Sequence, residues 1–167
     1  MSLLKWLGLS EPSDTQVNSL GEIEAALTEL PPAEARYIAA FAYILHRIAR
    51  ADHDISDEES ALIEQLVATR GGLSPDRARL VIRIARSENL RHGGTEDFIV
   101  TREFEKSASR EQKLALLDCL YAVSAIDESI RTVEDNEIRR VASELKLDHN
   151  DYIAVRAAHV SHLASRR

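Results

Sequence analysis

The sequence predicts an all-α fold, a single-domain bundle of seven to eight helices, from three observations. Apolar residues recur at 3- and 4-residue spacing along most of the chain, while no segment shows the strict alternation of a strand. Helix-start and helix-stop residues punctuate that pattern at short intervals. An acid-rich turn flanked by helical pattern occurs twice in one register, which marks an internal duplication of a helix–acidic turn–helix unit.

Residues 1–16 form an N-terminal tail or a short terminal helix followed by a linker. Met1 to Leu9 is apolar but short, carries one cation and has no secretory cleavage pattern behind it. A terminal helix that caps the core, or a disordered tail, is the plain reading of this segment, and peripheral membrane association is the alternative. The domain then covers 17–167. A first helix is expected over 17–30, closed by Pro31-Pro32. Pro32 suits the first turn of the next helix. That helix carries Tyr37, Ile38, Phe41, Ile44, Leu45 and Ile48 as one apolar stripe and ends near Ala51.

Ser56 and Glu59 have capping-box spacing and open a third helix, with Leu62, Ile63, Leu66 and Val67 as its stripe and Gly71-Gly72 as its stop. Ser74-Pro75 reads as an N-cap with proline behind it, ahead of Leu80, Val81 and Ile84. His92-Gly93-Gly94 is a turn, and the polar run from Ser87 to Glu96 is either a mobile loop or an ordinary interhelical turn. Thr95 is expected to cap a helix containing Phe98, Ile99 and Phe104. Ser109 and Gln112 make another capping box, before Leu114, Leu117, Leu120, Tyr121 and Val123. Past the second acidic turn come Ile138, Val141 and Leu145. Asp148 is expected to cap the last helix, which carries Tyr152, Val155, His159 and Leu163.

Composition narrows the function classes. With 44% hydrophobic and 29% charged residues the chain is an ordinary globular one, long enough for one core. Its net charge of −7 argues against nucleic acid as the main partner, because phosphate binding needs a basic face. Cys119 is the only cysteine, so no intrachain disulfide can form, and its apolar neighbours suggest a buried thiol in a reducing, cytoplasmic setting. No apolar run approaches the roughly 18 residues that cross a bilayer.

The two turns carry whatever chemistry the sequence offers. Asp52 matches Asp127, Ile55 matches Ile130 and Glu59 matches Glu134, each offset by 75 positions (127 − 52, 130 − 55, 134 − 59). Ile48 with Val123, Ile63 with Ile138 and Leu66 with Val141 continue the register. Asp52-x-Asp54-x-Ser56 alternates oxygen-bearing side chains like the start of a calcium loop. The full EF-hand pattern fails, since Asp57 stands where Gly is required and Ile63 where Glu is required. Helix capping explains Glu59 by itself, and Asp57, Glu58, Glu134 and Asp135 suit the first turns of helices. From spacing alone the capping reading leads. It leaves unexplained why five acids lie within 52–59 with no Lys or Arg, and five more within 127–137 with one Arg. Such a concentration repels itself unless a cation or a basic partner offsets it.

These residues resemble a known family. Ala51-Asp52-x-Asp54-Ile55-Ser56-x-x-Glu59 and Asp127-x-x-Ile130-x-x-x-Glu134 are similar to the two signature turns of the tellurite-resistance TerB-like family. The segments around Asp97-Phe98 and Glu144-Leu145-x-Leu147-x-x-x-Asp151-Tyr152 also fit its stand-alone bacterial members. The likeness covers roughly residues 20–160. His53 and Glu128 stand where the family turn usually has Gly. The resemblance implies an all-helical fold, no established catalytic activity, bacterial stress and tellurite resistance, divalent-cation binding and links to membrane-associated complexes. Carried over by residue, the metal candidates are Asp52, Asp54, Glu59, Asp127 and Glu134, with Ca, Mg or Mn as the cation.

Other chemistry lacks its parts. No His has Glu three positions before it, as a di-metal bundle requires. His159-x-x-His162 has no partner for zinc and reads as a half-exposed helix face. There is no phosphate loop and no nucleophile elbow. Cys119 has no local activating base, and His46 reads as a satisfied core histidine. The sequence therefore predicts a non-enzymatic, cytoplasmic module that binds a divalent cation, a protein partner or both. A metal-independent interaction scaffold is the alternative.

Overall fold

The computed structural model describes residues 25–49, 57–86, 94–126, 130 and 132–162. The predicted tail and linker at 1–16 lie outside them, as does most of the expected first helix; a helical turn at 25–28 is its described part, with Leu27 buried. Seven α-helices follow: α1 (Pro32–Ala49), α2 (Asp57–Arg70), α3 (Pro75–Ala85), α4 (Gly94–Ser107), α5 (Arg110–Ser124), α6 (Thr132–Glu144) and α7 (His149–Ala157). A 3-10 turn, Val160–His162, comes after α7. The fold is all-α, as predicted.

The duplication extends to whole helices. Ala49 and Ser124, which end α1 and α5, hold the same register as Asp57 and Thr132, which begin α2 and α6. The packing repeats too: α3 lies on α1 as α7 lies on α5. The halves are joined by α1 against α5 and by a reciprocal crossing, α2 onto α5 and α6 onto α1. Helix α4, between the halves in sequence, packs on α1 and α6.

Helix α1 is more deeply placed than its stripe predicts. Every residue from Ile38 to Ile48 is buried except His46, which is half-buried. Ala39, Ala40 and Ala42 fill the sides outside the stripe, where their small size lets neighbouring helices approach on several faces. The ring of Phe104 on α4 stacks on Tyr37 at 5.1 Å between centroids and meets Phe41 edge-on at 6.4 Å. His46 is satisfied as expected, its Nδ1 lying 2.6 Å from the Ala85 carbonyl.

The local signals are met unevenly. Ser109 and Gln112 form the full capping box, and Ser74 accepts from the Arg77 amide ahead of Pro75. Asp148 occupies the N-cap of α7 but makes no side-chain capping bond. Helix α4 begins at Gly94, one residue before Thr95, the cap expected from sequence. Leu62 is 50% exposed and leaves the α2 stripe, which narrows to buried Ile63 and Val67 with Leu66 half-buried. The box proposed for Ser56 and the run 87–93 lie outside the described residues.

Gly72 takes φ 72° just past α2, the left-handed stop for which glycine is suited. Gly71 serves a different need. A Cβ there would meet the Val67 carbonyl oxygen and lie 2.9 Å from Phe41 Cζ. Gly71→Ala is therefore expected to cost about 1–3 kcal/mol by overpacking, read from the urea midpoint. Gly72→Ala, which meets open space but keeps the positive φ, separates the steric effect from the conformational one.

Candidate functional site

The candidate site is built from the starts of α2 and α6 and the turns that lead into them. Glu59 and Glu134 are the third residues of these helices, equivalent by register and near the positive end of the helix dipole. Their surroundings differ. Asp57, Glu58 and Glu59 are exposed, whereas Glu134 and Asp135 are 3% and 7% exposed. Asp52, Asp54 and Asp127 lie outside the described residues.

Several of the crowded acids have cationic partners within the chain. Asp57 Oδ1 accepts from Arg86 Nη2 at 3.0 Å, linking the start of α2 to the end of α3. Glu137 Oε1 accepts from Arg47 Nε, and Glu137 also lies 3.4 Å from Arg140. Asp135 receives a two-pronged bond from Arg156, Nε to Oδ1 at 3.1 Å and Nη2 to Oδ2 at 2.9 Å. The Tyr121 hydroxyl donates to the same Oδ1 at 2.9 Å. Burial opposes ionisation of Asp135, but the bonds from Arg156 and Tyr121 outweigh it and hold the carboxyl below its usual range.

Two of these groups escape a reading by motif. Arg47 is 3% exposed; its guanidinium also reaches Thr101 Oγ1 at 3.2 Å and lies 2.9 Å from Glu144 Oε2, as a charge contact rather than an aligned hydrogen bond. It sits three residues after buried Ile44, so a charge on an apolar face was the available signal. The second is Asp118, inside the apolar run of α5. It accepts from Arg70 at 3.0 Å, and His159 Nε2 lies 2.7 Å from its Oδ1. The hydrogen bond from His159 keeps Asp118 below its usual range against the pull of burial. His159 is buried, not half-exposed as expected. The chain leaves α7 before it, and its ring stacks on Tyr121 at 5.5 Å.

The Arg47–Glu137 pair also orients the site. It holds the last turn of α1, from which the first acidic turn departs, against the first turns of α6, into which the second turn runs. Ile130 within the second turn is fully buried. An all-oxygen set of carboxylates, carbonyls and water suits a hard cation. Among the described residues the fit is partial: Glu59 and Glu134 are the two candidate ligands placed, Glu134 at 3% exposure, and no group of three or more His, Cys, Asp or Glu lies close enough to hold a metal. Cys119 is no rival centre, since burial pushes its thiol up to about 12.

The family model described as Tellurite resistance protein TerB matches residues 38–157, from within α1 to the end of α7 and across both acidic turns. Comparison with curated proteins and with solved structures gives no significant match.

Proposed function

The chain belongs to the tellurite-resistance TerB family, and from that premise we propose that it is a non-enzymatic, stress-related binding module whose paired acidic turns hold a divalent cation. The observation that carries this reading is the register: two equivalent acid-rich turns join equivalent helices, and the Arg47–Glu137 bond draws their helices together. Asp52, Asp54 and Glu59 from the first turn and Asp127 and Glu134 from the second would supply the oxygens. Ionised, these carboxylates repel one another, and Ca²⁺, Mg²⁺ or Mn²⁺ supplies the opposing charge when bound. The helix starts that carry Glu59 and Glu134 would then shift together, changing the acidic face offered to a basic protein partner. A cytoplasmic setting belongs to the same proposal; no described helix is long and apolar enough to cross a membrane.

A metal-independent scaffold is the second reading. It is favoured by Asp57, Asp135 and Glu137, whose charges the chain already offsets with its own arginines. Calorimetric titration of the chelator-treated protein with Ca²⁺, Mg²⁺ and Mn²⁺, with a thermal melt beside each, separates the two. The expected outcome is saturable binding with a raised Tm. Asp52→Asn and Asp127→Asn should each weaken it about tenfold or more with unchanged helical content. Binding that both variants leave intact would sink the turn site, and no binding at all would favour the scaffold.

A further inference from the structure

Away from the acidic turns, α6 and α7 enclose a cleft of about 370 Å³. Its polar lining is Arg139, Ser143, His149 and Tyr152, and its apolar lining includes Leu147 and Ile153. The walls are set by backbone geometry. Lys146 takes φ 58° at the end of α6, and the Leu147 amide then donates back to the Ala142 carbonyl at 3.2 Å. That turn brings Leu147 to the lining of the cleft, which Ile153, a large apolar side chain left 42% exposed, shares.

Arg139 is the unusual member. Arg139 is exposed; its Nε donates to the Tyr152 hydroxyl at 3.3 Å, which turns the guanidinium toward the cleft, and this oxygen is its one hydrogen-bond acceptor among the described residues. Asp135, one turn earlier, attracts Arg139 through its charge, but its oxygens take their hydrogen bonds from Arg156 and Tyr121 rather than from Arg139. A guanidinium at the cleft with unused parallel N–H groups matches a carboxylate in geometry and charge. Beside it, Leu147 and Ile153 offer an apolar floor that water covers poorly.

We propose that this cleft binds a small organic monocarboxylate. The carboxylate is held by the Nη groups of Arg139, and the apolar body lies along Leu147 and Ile153. The volume accommodates a chain of roughly six to ten carbons. The site does not depend on the cation reading, since it shares none of the five candidate ligands.

Octanoate is the test probe, titrated calorimetrically into the full chain beside 1-octanol and acetate. Octanoate should saturate and bind about tenfold or more tightly than either control, which lack the charge and the apolar body respectively. Arg139→Gln should lower its affinity about tenfold or more. Ile153→Asp, at an exposed position, places a negative charge in the cleft and should abolish binding. A melt of each variant confirms folding, and Ile153→Asp carries the test if Arg139→Gln does not fold. Failure of octanoate to saturate by about 10 mM overturns the proposal. So does equal binding of 1-octanol or acetate, or full affinity in both variants.

Discussion

Arg47→Ala is expected to destabilise the protein by about 3–5 kcal/mol, a large fraction of the stability of a domain this size. Arg47 lies in the last turn of α1 at 3% exposure, facing Glu137 and Glu144 of α6 and Thr101 of α4. Burial disfavours its charge, but the bond to Glu137 and the field of both carboxylates more than offset this and keep the guanidinium ionised. Removing it leaves two carboxylates whose side chains are only 19% and 15% exposed, about two turns apart on the same helix face. Glu144 would then lose its cation and Glu137 would keep only the exposed Arg140 at 3.4 Å. Arg47→Met retains the packing of the side-chain stem and isolates the electrostatic part. The triple variant Arg47→Met, Glu137→Gln, Glu144→Gln should recover much of the loss, because the unpaired charges go with it. Urea unfolding of the three variants decides the matter. A loss below about 1 kcal/mol in Arg47→Met would mean that the ion cluster does not hold α1 to α6.

The order of helices was legible because its signals are local. Ser109 with Gln112, Ser74 with Pro75 and the paired glycines after α2 each act within a few residues, and each is met in the structure. The position of a helix in the bundle is not local. Tyr37 to Ile48 shows one stripe in sequence, yet α1 is buried nearly all round because four other helices pack on it. Leu62 fits the α2 stripe by spacing and is exposed because α3 and α5 cover a narrower face. The acidic turns divide in the same way. Glu59 and Glu134 are equivalent in register, and the structure places both at the third position of their helices. That one is exposed and the other buried follows from tertiary packing. Arg140 beside Glu137 is local, but the hydrogen-bonded cations of Glu137 and Asp135 are Arg47 and Arg156, on helices that spacing does not connect to α6. Acid concentration therefore overstated the charge left for an external ligand.

Asp135→Asn should show the other large effect, and should show it as a change in pH dependence. The folded carboxyl of Asp135 sits below its ordinary value, so its contribution is present above the unfolded pKa near 4 and is lost as pH falls through the lower folded value. Asp118 behaves in the same sense, held low first by the bond from His159. The wild-type protein should accordingly lose stability on acidification below about pH 4. Asparagine keeps the shape of Asp135 but not its charge. One of its two positions is an amide nitrogen, which cannot accept from Arg156 where Oδ2 now does at 2.9 Å. The Tyr121 hydroxyl, pushed up by burial and so a lasting donor, still requires an acceptor inside the core. The expected loss is about 2–3 kcal/mol at pH 7, the range for hydrogen bonds to a charged group. It should shrink as the pH approaches 2, where the wild-type carboxyl is itself neutralised. Urea midpoints of both proteins across pH 2–7 give two converging curves if the Arg156–Asp135–Tyr121 network ties α5, α6 and α7 together. Parallel curves would mean that the Asp135 charge adds nothing to folding.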